Sequence, residues 1–253
     1  MNIDHNTKEN ILDAAKAEFA LHGFSGARLA VIAENSGVNK ALIHYYFKSK
    51  HLLYENVWES FFTWDDESIN IPIYLQSNSF TIVERLYLYV YITVSLNIKF
   101  TDEKILEIFL WELAEGGKFL KSFHDKYFFD RHKSFYSILQ AGHKEGLFDL
   151  QYADLIVMGI FAVNFFYKIG KNRGTQRSFK MSYEGYKDED EKFLSYTLEY
   201  VFKMLSPLDK PIPVPQIKPE ILEYINELLH MNSNKISILT ARRIVEFLCQ
   251  DLN

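Results

Sequence analysis

Cysteine is almost missing from this 253-residue chain: Cys249 stands alone, which excludes a disulfide framework, a cysteine-based zinc site and a CxxC redox motif. Long apolar runs are missing as well. The longest, around Leu86–Ile98 and Leu155–Tyr167, are each about 13 residues, against the ~18–20 needed to cross a bilayer. The stretch Met1–Asn10 is polar and of mixed charge, unlike a secretory signal. A soluble, cytoplasmic chain without membrane contact is the expectation. No GxSxG, HExxH, P-loop or GxGxxG occurs. The one ExxH pair, Glu227 with His230, lacks the second pair that a di-metal site in a helical bundle needs. His124, His132 and His143 lie on one expected helix, with no two spaced i, i+4. The chain reads as a non-enzyme with no metal and no cofactor. An excess of positive charge is absent too: 28 basic residues face 33 acidic ones, net −5, so the protein as a whole is not coated for nucleic acid.

What is present is apolar and aromatic. Hydrophobic residues make up 48% of the chain and charged residues only 24%, a composition that folds rather than stays disordered. Phe (21), Tyr (16) and Trp (3) together reach 16%. The average charge also hides an asymmetry. Residues 1–50 hold six basic and five acidic side chains, so the remaining chain carries the negative balance. From Gly37 to Tyr54 there are Lys40, Lys48, Lys50 and two histidines, and no carboxylate. Any contact with nucleic acid belongs to the first fifth of the chain.

Periodicity assigns the chain to the all-α class. Ile11, Leu12, Ala15 and Phe19 form one stripe of a helix over 8–22, with Thr7 as its cap and Gly23 as its stop. A second helix buries Leu29, Ile32 and Ala33 and halts at Gly37, and NKALIHYYFKSK resumes helical spacing. Two short helices joined by a glycine turn, packed on a third, describe a helix-turn-helix unit. Longer helices are expected over 50–69, 79–100, 101–113 with Thr101 as cap, 118–145, 151–169 ending at Gly170, and 188–205. The segment 170–187 reads as a polar, basic loop. Five of the six prolines lie between 207 and 219 and make an extended linker, followed by helices over about 219–231 and 236–251.

On a helical wheel Ile43 and Phe47 share one face of the third helix. The opposite face carries Ala41 and Tyr45, flanked by Leu42, His44 and Lys48. A small residue at 41 permits close approach to a major groove, Leu42 offers apolar contact to a thymine methyl, and Tyr45 and His44 can bond to base edges or phosphates. Lys40 and Lys50 at the two ends supply charge for phosphates. The same pattern also fits a helical hairpin with a solvated, lysine-bearing face.

The string GFSGARLAVIAENSGVNKALIHYYFKSKHLL, with the preceding AEFALHGF, resembles the DNA-binding module of the tetracycline-repressor (TetR) family of bacterial transcription regulators. The agreement covers about 45 residues, roughly the first fifth of the chain; beyond it, length and the all-helical plan match. The resemblance implies a three-helix DNA-binding domain over 1–50, an effector-binding and dimerisation domain over 51–206, and a linker plus helical arm over 207–253. It implies a homodimer that represses by binding a palindromic double-stranded operator and is released by a small-molecule effector. The positions matching the family's DNA contacts are Arg28, Asn39, Lys40, Ala41, Leu42, His44, Tyr45, Tyr46 and Lys50. One departure is Ala27, where many members have a helix-capping threonine; Ser25 or backbone groups are the candidates to compensate. The competing reading keeps the module for contact with another protein.

For the body, the resemblance implies a cavity within 80–170, with Tyr87, Tyr91, Phe109, Trp111, Phe135, Phe161 and Phe165 as candidate lining and an aromatic or apolar effector. Core filling by the same residues is the alternative. The helices 151–169 and 188–205 occupy the places of the family's dimer interface, the first through Leu155, Met158, Gly159, Ala162 and Phe166, the second through Phe193, Leu194, Thr197, Tyr200, Val201 and Met204. The arm is unexplained by the resemblance. Its apolar stripes, Ile221, Ile225 and Leu228 and then Ile238, Ala241, Ile244, Val245 and Leu248, require it to dock, with a clasp across a dimer as the working expectation.

Overall fold

The computed structural model describes residues 2–61, 80–100, 102–127, 129–173 and 189–230. Among them it contains eleven α-helices and no strand: α1 (Asn2–Gly26), α2 (Leu29–Asn35), α3 (Lys40–Phe47), α4 (Lys50–Ser60), α5 (Ile82–Phe100), α6 (Glu103–Ala114), α7 (Leu120–Tyr127), α8 (Phe129–Lys144), α9 (Ala153–Arg173), α10 (Glu189–Leu205) and α11 (Pro219–His230). The protein is all-α, as its periodicity requires. The β-branched, aromatic stretch before Phe100 is a helix. A reciprocal cap starts it: Thr81 Oγ1 accepts from the Glu84 amide at 3.2 Å, while Glu84 Oε2 accepts from the Thr81 amide at 2.8 Å.

Several boundaries move. α1 begins before Thr7, which is therefore not its cap. Gly23 still interrupts it, at φ 66°. Asp102, not Thr101, caps α6, its carboxylate accepting from the Lys104 amide at 2.8 Å. The helix expected over 118–145 is described as two helical stretches, α7 and α8, on either side of residue 128, which lies outside the described residues. α9 runs through Gly170 rather than stopping there, since glycine lowers helix propensity without forcing an end. Residues 153–170 of α9, with mean hydropathy 1.5, are long and apolar enough to cross a membrane by length and composition, which the count of uninterrupted apolar residues did not reveal. The basic loop after Arg173 and the second arm helix lie outside the described residues.

Two compact units form. The first joins Met1–Thr63 with Asp102–Tyr127; the second joins Trp64–Thr101 with Phe128–Asn253. In the first, α6 and α4 pack on α1, and α2 and α3 pack as a pair. Its buried apolar residues include Ile11, Ala15, Phe19, Ile32, Ile43, Phe47, Leu53 and Val57. In the second, α5 is central and packs against α8, α9 and α10. Its main core gathers Leu86, Val90, Val94, Phe135, Ile138, Leu139, Ile156, Val201, Phe202 and Leu205.

The arm docks on its own subunit. Ile212 and Val214 of the proline-rich segment pack on the main core of the second unit. Ile217, Ile221, Leu222 and the fully buried Ile225 pack with Phe80, Leu88, Tyr91 and Ile92. Asn226 Nδ2 donates to the Tyr91 hydroxyl at 2.8 Å. α11 thus docks on the body, as its apolar stripe requires, with its seat on α5, whose apolar outer face would otherwise be exposed to water.

Candidate nucleic-acid interface

The α2–turn–α3 unit is built from short-range signals. Gly37, at φ 70°, makes the turn, where a side chain would be strained. Asn39 caps α3, its side-chain oxygen accepting from the Leu42 amide at 2.9 Å. Ile43 and Phe47 are buried, while Lys40, Ala41, His44, Tyr45 and Lys48 are exposed, Tyr45 by 65%. No carboxylate lies on α3.

The exposed groups are held rather than loose. Lys48 Nζ donates to the Tyr45 carbonyl at 2.7 Å and sits 5.4 Å over the Tyr45 ring. The Tyr46 ring meets that of Tyr45 edge-on at 5.2 Å. His44 Nδ1 donates to the Lys48 carbonyl at 3.2 Å, because a carbonyl can only accept; this leaves Nε2 as the acceptor of the neutral ring. A rigid aromatic and an oriented acceptor flanked by cations can bond to base edges and phosphates in a groove.

Two of the matched positions have structural duties. Arg28 is the N-cap residue of α2 but makes no side-chain cap. Its amide donates instead to Glu18 Oε1 at 2.9 Å. The start of α2 is therefore satisfied from the buried Glu18 of α1, not by Ser25. Lys50 Nζ donates to the Ala27 carbonyl at 2.6 Å and lies 5.1 Å over the Phe24 ring. Burial lowers its pKa, while Glu115 and Glu18 pull in the other direction. Its ammonium is committed to the turn between α1 and α2.

The sequence reading missed the ties behind this surface. Glu112 of α6, 2% exposed, accepts from the Tyr54 hydroxyl at 2.8 Å and from the Phe119 amide at 3.0 Å. Burial, followed by this carboxylate, raises the Tyr54 pKa well above the ordinary phenol range. Gly23 has its φ and its space in common cause: a Cβ there would come within 3.0 Å of Trp111 and Glu115. The signal for Glu18 and Glu112 was available: each is an acid in the register of a buried apolar stripe, three residues after Ala15 and four after Ile108.

The seven aromatic candidates are divided between the two units. Phe109 and Trp111 lie on α6 in the first unit, where the Trp111 indole N–H donates to the Ala20 carbonyl at 3.1 Å. Tyr87 and Tyr91 stack at 6.0 Å and pack with the arm. Phe135 is buried against Tyr89, centroids 4.7 Å apart. Phe161 and Phe165 stack at 5.7 Å, the first half exposed and the second buried. Along α9, Leu155, Met158, Phe161 and Phe166 form an exposed apolar stripe, Phe166 by 69%. On α10, Thr197 and Val201 turn into the chain's own core rather than outward, while Tyr196 and Met204 are exposed.

Residues 11–57, which span the helix-turn-helix with its bare, cationic face, match the model of bacterial regulatory proteins of the tetR family. Relatives agree over the same stretch. The HTH-type transcriptional repressor SCO4008 of Streptomyces coelicolor is 42% identical over 67 residues, 26% of this chain and 34% of that protein. RutR of Escherichia coli K12, an HTH-type transcriptional regulator, is 51% identical over 47 residues, 19% of this chain and 22% of its own length. The match thus spans about a third or less of these relatives. Over the larger fold, a linker-substituted HlyIIR mutant is 25% identical with TM-score 0.53, covering 76% of this chain and 96% of that one. HlyIIR itself, a hemolysin II transcriptional regulator, has TM-score 0.52 at 24% identity and covers 76% and 97%.

Proposed function

We propose that the protein is a DNA-binding transcriptional regulator, acting as a repressor and not as an enzyme, in the cytoplasm beside the DNA it reads. The observation that carries this is the exposed, carboxylate-free face of α3, with Tyr45 and His44 held in place between Lys40 and Lys48. Arg28, Asn39, Ala41, Leu42 and Tyr46 complete the proposed contact set, from which Lys50 is withdrawn because its ammonium donates to the Ala27 carbonyl. Two copies pair through the apolar stripe of α9 and the exposed side of α10, so that two α3 helices meet a palindromic operator. Half-sites about 34–36 Å apart, one turn of duplex, suit such a pair. The functional division at residues 50 and 206 belongs to this proposal.

A small effector in the second unit releases the DNA by favouring another spacing of the pair. Coupling of about 1–3 kcal/mol gives 5–150-fold relief. Selection of duplexes from a random pool by the purified chain tests the reading. Enrichment of a palindrome with half-sites one turn apart is expected; failure to enrich any duplex would remove it.

A further inference from the structure

Polar atoms inside a protein almost always find partners, and those that do not often mark the place of a water or a ligand. Two amide oxygens in the second unit, Asn97 Oδ1 on α5 and Asn164 Oδ1 on α9, are buried and accept no hydrogen bond. Asn164 is 4% exposed. Its orientation is fixed, since Nδ2 donates to the Ile160 carbonyl at 2.7 Å. That bond turns the amide nitrogen to its own helix and leaves the oxygen without a donor.

The two asparagines stand on helices that pack against each other. α9 packs on α5, and Lys168 Nζ donates to the Ile98 carbonyl at 2.5 Å. Asn164 precedes Lys168 by four residues and so shares its face of α9. Asn97 precedes Ile98 on α5. The neighbouring Val94, Ile98 and Ile160 belong to the main apolar core. The chemistry of this junction is one-sided: two carbonyl acceptors in apolar surroundings, with an ammonium close by. An anion is repelled by the carbonyl dipoles, and a cation by Lys168. A neutral molecule with an N–H or O–H donor suits it.

We propose that the α5–α9 junction is a ligand site in which Asn164 Oδ1, with Asn97 Oδ1, accepts a hydrogen bond from a neutral donor on an otherwise apolar molecule. This deepens the effector part of the reading above and rests on it: the effector carries an N–H or O–H group, and Asn164 is the residue that demands it. A donor-free analogue leaves both oxygens unmet inside the protein and binds correspondingly worse.

The test uses paired probes on the full chain: indole with 1-methylindole, and phenol with anisole. Affinities are measured by calorimetry and thermal shift for wild type, Asn164→Leu and Asn97→Leu. Wild type should bind each donor about tenfold or more tightly than its methylated partner. Asn164→Leu should abolish that gap while still admitting the apolar bodies, and Asn97→Leu should narrow it. Equal affinity within both pairs in wild type, or a gap that survives Asn164→Leu, overturns the proposal. So does an Asn164→Leu protein that is merely more stable while wild type binds none of the four probes, which assigns the oxygens to buried water. Duplex selection on the same wild-type sample separates the two readings. Donor discrimination without DNA binding keeps this site and removes the regulator, whereas DNA binding without discrimination does the reverse.

Discussion

Both compact units are built on buried apolar side chains, and the first adds long-range polar ties beside its helix-turn-helix. In the first, directional bonds between distant segments set the geometry: Glu18 with the Arg28 amide, Lys50 with the Ala27 carbonyl, Glu112 with Tyr54 and the Phe119 amide. In the second, apolar and aromatic clusters around α5 dominate. A hydrogen bond fixes angle and partner identity, while apolar packing tolerates many substitutions of similar volume. A module that must present a surface to a regular lattice of bases needs the first kind.

The comparison breaks most readily at the core of the second unit. Phe135→Ala should cost about 3–5 kcal/mol in denaturant unfolding, the expected range for a buried aromatic. A loss under ~1 kcal/mol would mean that the α5 cluster is not what holds this unit. In the first unit, Glu112→Ala strips the acceptor from a buried phenol and a buried amide. A loss of about 1–3 kcal/mol is expected, and a neutral result would show the tie to be dispensable.

Two lysines sharpen the contrast further. Lys50→Met should lower stability by about 1–2 kcal/mol and leave the salt slope of DNA binding unchanged. Lys40→Ala should do the opposite, with stability within about 0.5 kcal/mol of wild type and the slope reduced by about one. If the two variants behave alike, the separation of a structural from a phosphate-facing lysine fails. The smallest effect on affinity, and the most specific, is that of Tyr45→Ala. It should redistribute base preference at one position by about 1–3 kcal/mol, read by repeating the duplex selection with the variant.

The same difference decides what could be read from the residues. Gly37, Ile43 and Phe47 each have one local job, so the turn and the two faces of α3 were legible at single-residue resolution, whereas Asn39 was read as a DNA contact and not as the cap it forms. The helix over Glu103–Ala114 was legible as a helix, but not its membership of the first unit, because Trp111 and Glu112 reach residues about 60 to 90 positions away. The exposed stripe of α9 and the seat of α11 both read as amphipathic faces. What covers each is a property of the partner surface, which periodicity does not encode.

The most direct measurement is the salt dependence of binding to the selected duplex by wild type and by Lys40→Ala. A steep linear fall of log affinity with log salt, shallower by about one in the variant, is the predicted result. A flat dependence, or identical slopes with unchanged affinity, would contradict the assignment of α3 as the surface that meets DNA.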